Sequence, residues 1–245
     1  MGRNWIELLM PPVIPLLYRR WARGREPSPN ASRIAQWEIR QLFPGIETAS
    51  PKIPFEQLLG GAGQLPLLES ATLGLLCSYL QPRRIFEIGT YRGLSTLTMA
   101  MNTPGDTEIL TLDLDPAHRQ EVVFSTDNGD ITGLPFTVGE FFRGTAFETK
   151  IRQIYGDSAL FDFNPFVGGV DLVFVDGNHA YENVRADSQN ALRMVRSGGV
   201  ILWDDYHPTW GPGVMRLLDE LSHSTKILTL AGTRFAVYVE QFPHG

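Results

Sequence analysis

From Leu65 to the carboxyl end, short apolar runs alternate with longer stretches whose apolar residues recur at helical spacing. The pattern predicts a helix over Leu67–Leu80, stopped near Pro82, and then a strand over Arg84–Ile88. A helix running to about Asn102 follows, and strands are expected at Glu108–Leu112, Ile151–Tyr155 and Val170–Val175. Tyr181–Val195 reads as an amphipathic helix with Val184, Ala191, Leu192 and Val195 turned inward. Gly198-Gly199 reads as its close, before a strand at Val200–Trp203. A last helix, Gly213–Ser222, leads into strands Ile227–Leu230 and Phe235–Glu240, with Gly232 supplying the turn between them. Alternating strands and helices imply right-handed crossovers. The expected fold is therefore α/β, a doubly wound, mostly parallel seven-stranded Rossmann-like sheet with an antiparallel closing hairpin.

Two stretches break this regularity. Ser125–Thr149, with several glycines and the Phe141-Phe142 pair, is longer than a usual connection and is expected to be a lid or substrate loop. Residues 1–64 read as an amino-terminal arm and linker ahead of a domain at 65–245, with one short helix at Ser32–Phe43 and a surface-crossing loop at Pro44–Gly63. Trp5–Tyr18 is apolar, but it contains Glu7 and prolines and is shorter than the roughly 20 residues that span a bilayer. No basic start or small-residue cleavage site marks a secretory signal. Arg19, Arg20, Trp21, Arg23 and Arg25 follow, so residues 1–25 have two readings. The arm packs on its own domain or on a partner subunit of a homo-oligomer, or it docks peripherally on an anionic membrane.

Composition narrows the classes. A chain of 245 residues with 43% hydrophobic and 20% charged content builds one well-cored α/β domain and an appendage. The single cysteine, Cys77, falls in a helical pattern and reads as a buried small hydrophobe. Without a disulfide framework, the expected compartment is reducing and the location cytoplasmic, peripheral at the membrane if the arm docks there. The formal charge of −6 argues against a nucleic-acid binder, although residues 1–40 carry a local excess of arginine.

The chemistry-bearing segment is Arg84–Thr96, an apolar strand running into a turn marked by Gly89 and Gly93 and then a helix start. Glycine permits a tight turn and a close ligand approach, and Ser95 or Thr96 can satisfy free N–H groups there. A dinucleotide fingerprint would need glycine where this chain has Tyr91 and Leu94, which disfavours a nicotinamide or flavin enzyme. Five successive strands end in or beside an acid: Glu87, Asp113, Asp157, Asp176, and Asp204 with Asp205. Each acid alone reads as a helix cap, but together they line the carboxyl ends of the strands, where open α/β sheets bind ligands.

The spacing Glu87-x-Gly89-x-x-x-Gly93, with Val175–Glu182 and Gly198–Tyr206, resembles the class I S-adenosylmethionine (SAM) methyltransferases, in particular the macrocin-type sugar O-methyltransferases. By that resemblance Glu87, Gly89, Thr90, Tyr91, Gly93 and Ser95 form the cofactor loop, with Glu87, Gly89 and Gly93 around the methionine part of SAM. Asp113 would hold the ribose, Asp157 and Ser158 would lie by the adenine, and Asp176 would border both cofactor and acceptor. Asp176, Asp204 and Asp205 fall where metal-dependent members hold a divalent cation, and an all-oxygen set suits Mg²⁺ or Mn²⁺. Related sugar enzymes place an aspartate base where this chain has Asn178, and catechol-type enzymes place a lysine base at the position of His179. His179 thus reads either as the base or as a helix-start residue that orients Asp176.

The resemblance implies O-methylation of a small hydroxylated acceptor, a sugar or glycoside, with metal assistance. Two rivals stand beside it: a metal-independent N- or C-methyltransferase, and a noncatalytic SAM-fold scaffold at a membrane. Trp203, Tyr206, His207 and Trp210 wall the acceptor pocket or serve as core, while His118, His223 and His244 read as surface residues.

Overall fold

The computed structural model describes residues 34–59, 65–115 and 136–240. Its strands are β1 (Gln36–Trp37), β2 (Arg84–Ile88), β3 (Glu108–Asp113), β4 (Ile151–Tyr155), β5 (Val170–Val175), β6 (Val195–Trp203), β7 (Ile227–Leu230) and β8 (Ala236–Val239). They form one eight-stranded sheet in the order β1-β7-β8-β6-β5-β2-β3-β4. All pairings are parallel except those of β8, which runs antiparallel to both β6 and β7. The central strands β2 and β5 are buried almost end to end, because helices of a doubly wound sheet cover both faces. The helices are Leu67–Leu80, Leu94–Met101, Tyr181–Met194 and Pro212–Leu221, beside two helical turns at Ile39–Leu42 and Phe55–Leu58.

Three local outcomes differ from expectation. Gly198 and Gly199 lie inside β6, which starts at Val195 directly after the helix, and do not cap that helix. Gly198 takes φ +73°, and a Cβ on Gly199 would stand 2.7 Å from Val195 Cγ2. The glycines serve an irregularity in pairing, since the register with β5 shifts between Val170 and Leu172.

Secondly, no single helix covers the described part of Ser32–Phe43. Gln36–Trp37 instead adds an eighth strand beside β7, followed by the turn Ile39–Leu42, where Gln41 Oε1 accepts from Glu38 N at 2.7 Å. The described residues from Ile34 onward belong to one compact unit. Thirdly, Pro44–Gly63 is more than a surface crossing: within its described part Ile46 is buried and Tyr79 Oη donates to Pro44 O at 2.8 Å.

The core fixes the carboxyl ends of the strands. Phe86 on β2 meets Phe161, Phe163 and Phe166 of the segment after β4, with ring centroids 6.2, 5.5 and 5.0 Å away. Removing such a buried ring costs about 3–5 kcal/mol. Cys77 is fully buried, as expected, and desolvation drives its thiol pKa up, which suits a core residue. The helix Tyr181–Met194 buries Val184 and Ala191 as expected, but Asn183, Asp187 and Ser188 are buried as well. Trp203 Nε1 donates to Ser188 Oγ at 2.9 Å, which satisfies both groups in the interior. Residues 1–33, including the apolar and arginine-rich arm, lie outside the described residues, as do His118 and His244. Among the described residues, no helix is long and apolar enough to cross a membrane.

Candidate active site

β2 is flanked by β3 on one side and β5 on the other, and the chain crosses over between them, which makes their carboxyl ends the ligand crevice of an open α/β sheet. The turn after β2 is held closely. Gly89 takes φ +99°, and a Cβ there would lie 2.0 Å from Asp176 O of the loop after β5, so two backbones touch where only glycine fits. Gly93, at φ +85°, leads into the helix Leu94–Met101 beneath the ring of Phe142. Tyr91 also has positive φ, at +48°. Asp113 Oδ2 explains this bend, because it accepts from Thr90 N at 2.9 Å and from Tyr91 N at 2.6 Å.

Glu87 lies under the turn with no exposed surface. Ser95 Oγ donates to its Oε1, and the hydroxyls of Thr96 and Thr111 donate to its Oε2, each at 2.5 Å. Burial still prevails over these donors and pushes its pKa up to about 7. The sequence reading set Glu87 around the methionine part of the cofactor; in the fold it braces the loop from beneath, with both oxygens already engaged. Thr90 is buried too, its hydroxyl shared with Thr111 and Gln153.

The segment expected to be a lid is, in its described part, a buttress. Gly139 N donates to Tyr91 O at 2.8 Å, Phe141 N donates to Arg92 O at 2.9 Å, and Arg92 pairs with Glu140. The rest of that expected loop lies outside the described residues. Asp157 Oδ1 turns back on its own loop, accepting from Ala159 N at 2.9 Å, and the Ser158 hydroxyl reaches the buried carboxyl of Asp187.

Across the crevice, Asp176 ends β5 and Asp204-Asp205 end β6. One donor atom each of Asp176, His179 and Asp205 lies within 4.8 Å of the others. His179 Nε2 stands 3.1 Å from Asp205 Oδ2. Asn178, in the place of the related aspartate base, accepts from Ala180 N and from Asn183 Nδ2, and so shapes the turn into the helix. Asp205 adopts φ +56°, and two further glycines allow its loop to close: a Cβ on Gly211 would lie 2.1 Å from Asp205 O, and one on Gly213 2.2 Å from His179 O.

Asp204 does not join the converging group. Its Oδ2 lies 3.3 Å from Arg234 Nη2, and its Oδ1 is buried without a hydrogen bond among the described residues. The Arg234 guanidinium also reaches Asp205 Oδ1 at 2.8 Å and stands 3.7 Å from Glu69 Oε1. Burial, with Asp205 and then Arg234 nearby, leaves the Asp204 carboxyl pushed up to about 7. Asp205 is held below the usual carboxylate range: burial alone would raise it, but His179 and Arg234 outweigh that. Asp176 is raised well above its ordinary value by burial and by the two neighbouring aspartates. Arg234 lies against oxygens of Asp204 and Asp205, while Asp204 Oδ1 and Asp205 Oδ1 are buried with no hydrogen bond among the described residues.

Residues 86–206 match the family described as a methyltransferase domain. This segment is a class I methyltransferase domain. The domain's relatives include a catechol O-methyltransferase of Mycobacterium tuberculosis, 31% identical over 133 residues that cover 54% of this chain and 52% of that protein. A flavonoid 3',5'-methyltransferase of Vitis vinifera is 26% identical over 162 residues, 64% of this chain and 60% of that one. The chain thus spans about half the length of the curated relatives it matches. Among solved structures, an O-methyltransferase from Bacillus cereus in complex with SAH superposes at a TM-score of 0.56 with 19% identity, covering 79% of this chain and 99% of that one. A second, the O-methyltransferase TomG from Streptomyces achromogenes in complex with SAM, gives 0.54 with 18% identity, covering 84% and 97%. These two likenesses concern the methyltransferase fold.

Around the crevice the aromatic residues divide. Trp203 and Tyr206 are core, the latter donating to Asp219 Oδ1 at 2.5 Å. Trp210 is exposed beside His207, ring centroids 6.3 Å apart, on the loop that follows Asp205. His223 is a surface residue, as expected. Sequence reasoning missed Arg234, Gln153 and Asp187. Asp187, pushed up to about 7 by burial against the hydroxyl of Ser158, lies on a helix face read as exposed, and Arg234 lies in a turn with nothing to mark it.

Proposed function

We propose that the chain binds SAM and transfers its methyl group to a hydroxyl of a small acceptor. The observation that carries this reading is the meeting of the glycine-bounded turn after β2 with the Asp176–His179–Asp205 group at the same end of the sheet. SAM supplies, when bound, a methyl group on a sulfonium. The turn from Gly89 to Gly93 would take the methionine part, Asp113 the ribose, and the Asp157-Ser158 loop the adenine. Asp113 Oδ2 secures the turn that would take the cofactor.

His179, oriented by Asp205, would accept the hydroxyl proton as the acceptor oxygen forms its bond to the methyl carbon. Transfer of the methyl group would leave the sulfur's electron pair on S-adenosylhomocysteine and give the methyl ether, with the acceptor's proton held on His179. A base oriented by a carboxylate within hydrogen-bond reach follows the usual logic of proton abstraction. An Mg²⁺- or Mn²⁺-assisted reaction is the second reading, favoured by the convergence of Asp176, His179 and Asp205; a cation held there would polarise the acceptor oxygen.

The acceptor class proposed from the sequence is a sugar or glycoside. The relatives' names specify catechols and flavonoids, so phenols belong in the same trial. Incubation with SAM and a panel of glycosides and phenols, read by mass spectrometry, should give a singly methylated product; binding of S-adenosylhomocysteine with no product on any acceptor would reject the catalytic reading. For residues 1–25, peripheral docking on anionic membranes remains a proposal resting on their apolar and arginine-rich sequence. It predicts that deleting them abolishes sedimentation with anionic liposomes while S-adenosylhomocysteine binding persists.

A further inference from the structure

One carboxyl beneath the crevice has no part in the proton transfer. Asp187, on the helix Tyr181–Met194, is buried. A Cβ on Gly177 would stand 3.2 Å from Asp187 Oδ2 and 3.5 Å from Ile88 Cγ2, so the carboxyl lies under the loop after β5 and beside the end of β2. The hydroxyl of Ser158, from the loop after β4, donates to it. Asp187 Oδ1 has no hydrogen bond among the described residues. The next residue, Ser188, accepts from Trp203 Nε1 of β6, which fixes this turn of the helix.

As packing, this carboxyl is a poor choice. An amide or apolar side chain would fill the same space without burying a charge, and an acid with one bare buried oxygen calls for another reason. That reason lies in what the carboxylate does to Ser158. A hydroxyl has one proton and two lone pairs, so once the proton is committed to Asp187 only acceptor sites remain for a ligand. Ser158 is half-buried, and it follows β4 at the end of the sheet where the crevice opens. Its neighbour Asp157 has Oδ1 already taken by Ala159 N at 2.9 Å.

We propose that Asp187 sets the polarity of Ser158, so that the hydroxyl oxygen accepts from the exocyclic amino group of adenine and the site rejects a purine with an oxo group in that place. The proposal rests on reading Asp157-Ser158 as the adenine loop of a SAM site. An oxo group brings an acceptor where the amino group brings a donor, and it would face the Ser158 oxygen with no proton between them. Asp187 acts through Ser158 and is thus a positioning residue.

The test is calorimetry of S-adenosylhomocysteine and S-inosylhomocysteine on the full chain at about pH 8.5, where Asp187, pushed up to about 7 by burial, is ionised. Thermal melting runs in parallel. The wild type should bind the adenine compound at least about tenfold more tightly, as sites built around a ligand's hydrogen-bond donor do. Ser158→Ala should bring that ratio down at least about threefold. Asp187→Asn, whose amide can give a hydrogen bond as well as take one, frees the hydroxyl to turn and should lower the ratio likewise, while the melting temperature holds or rises because a buried charge has gone. Asp187→Ala, which removes the acceptor outright, should do the same to the ratio, and either variant suffices. A merely structural Asp187 would instead lower the melting temperature and weaken both compounds alike. Equal affinity of the wild type for the two compounds, or an unchanged ratio in Ser158→Ala or in a folded Asp187 variant, would overturn the proposal. Failure of the wild type to bind S-adenosylhomocysteine would instead strike the methyltransferase reading beneath it.

Discussion

The two walls of the crevice use acids in opposite ways. On the β2–β3 side, Glu87 and Asp113 are surrounded by donors that belong to the loop itself: three hydroxyls for Glu87 and two backbone N–H groups for Asp113. On the β5–β6 side, Asp176, Asp204 and Asp205 meet side chains that carry or can carry charge, His179 and Arg234. The first arrangement builds a rigid cradle, since each donor fixes a piece of backbone. The second holds charge in reserve close to where a proton must move. One residue type thus serves shape on one wall and chemistry on the other, and the partners decide which.

If the walls divide their work in this way, substitutions should separate binding from turnover. The largest effect is expected for His179→Gln, which should lower kcat by about 100- to 10,000-fold while leaving S-adenosylhomocysteine affinity intact. Steady-state kinetics beside calorimetry would show this, and a parallel loss of affinity would blur the division.

Glu87→Gln probes the cradle through pH. The carboxyl of Glu87 titrates near its ordinary 4.5 when unfolded and at about 7 in the fold. Below the unfolded value both states are protonated and the group costs nothing. As pH rises through that window the unfolded chain releases its proton first, so stability falls and levels off above about 7, a loss of at most about 3 kcal/mol. Chemical denaturation at a series of pH values should show the wild type losing ground against Glu87→Gln over this range. Parallel curves for the two proteins would mean that Glu87 ionises freely in the fold.

Asp113→Ala removes the acceptor for Thr90 N and Tyr91 N and should weaken S-adenosylhomocysteine binding by about 1.5–3 kcal/mol, with kcat at saturation less affected. Unchanged affinity in a folded variant would take Asp113 out of the cradle. The smallest effect is expected at Trp210, which is exposed on the loop that follows Asp205: Trp210→Ala should raise KM for the acceptor alone, and a shift in cofactor affinity would contradict the proposed acceptor role of that loop.

The contrast between walls also tracks what the sequence could reveal. Strands β2, β3 and β5 were legible because buried parallel strands are short apolar runs, and the acids were legible because they lie in or just after strand-like runs. The partners of the acids were another matter. Arg234 reaches Asp204 and Asp205 only because antiparallel pairing of β8 with β6 brings the start of β8 back to their loop, and nothing local in its turn signals that. β1 is a two-residue strand, too short for any periodicity to appear. Gly198-Gly199 carried the composition of a helix stop, yet the chain passed straight into β6, where the same residues relieve an uneven register. The amphipathic pattern of Tyr181–Met194 hid Asp187, because a polar residue reads as exposed until its burial against Ser158 is seen.

The central claim is that this crevice moves a methyl group from SAM to an acceptor oxygen. Its most direct test supplies SAM labelled with deuterium in the methyl group to the full chain with glycosides and phenols, and locates the label in the product by mass spectrometry and NMR. The account predicts a deuterated methyl ether formed by the wild type and strongly diminished with His179→Gln. Label on nitrogen or carbon, or equal formation of the ether by both proteins, would contradict it.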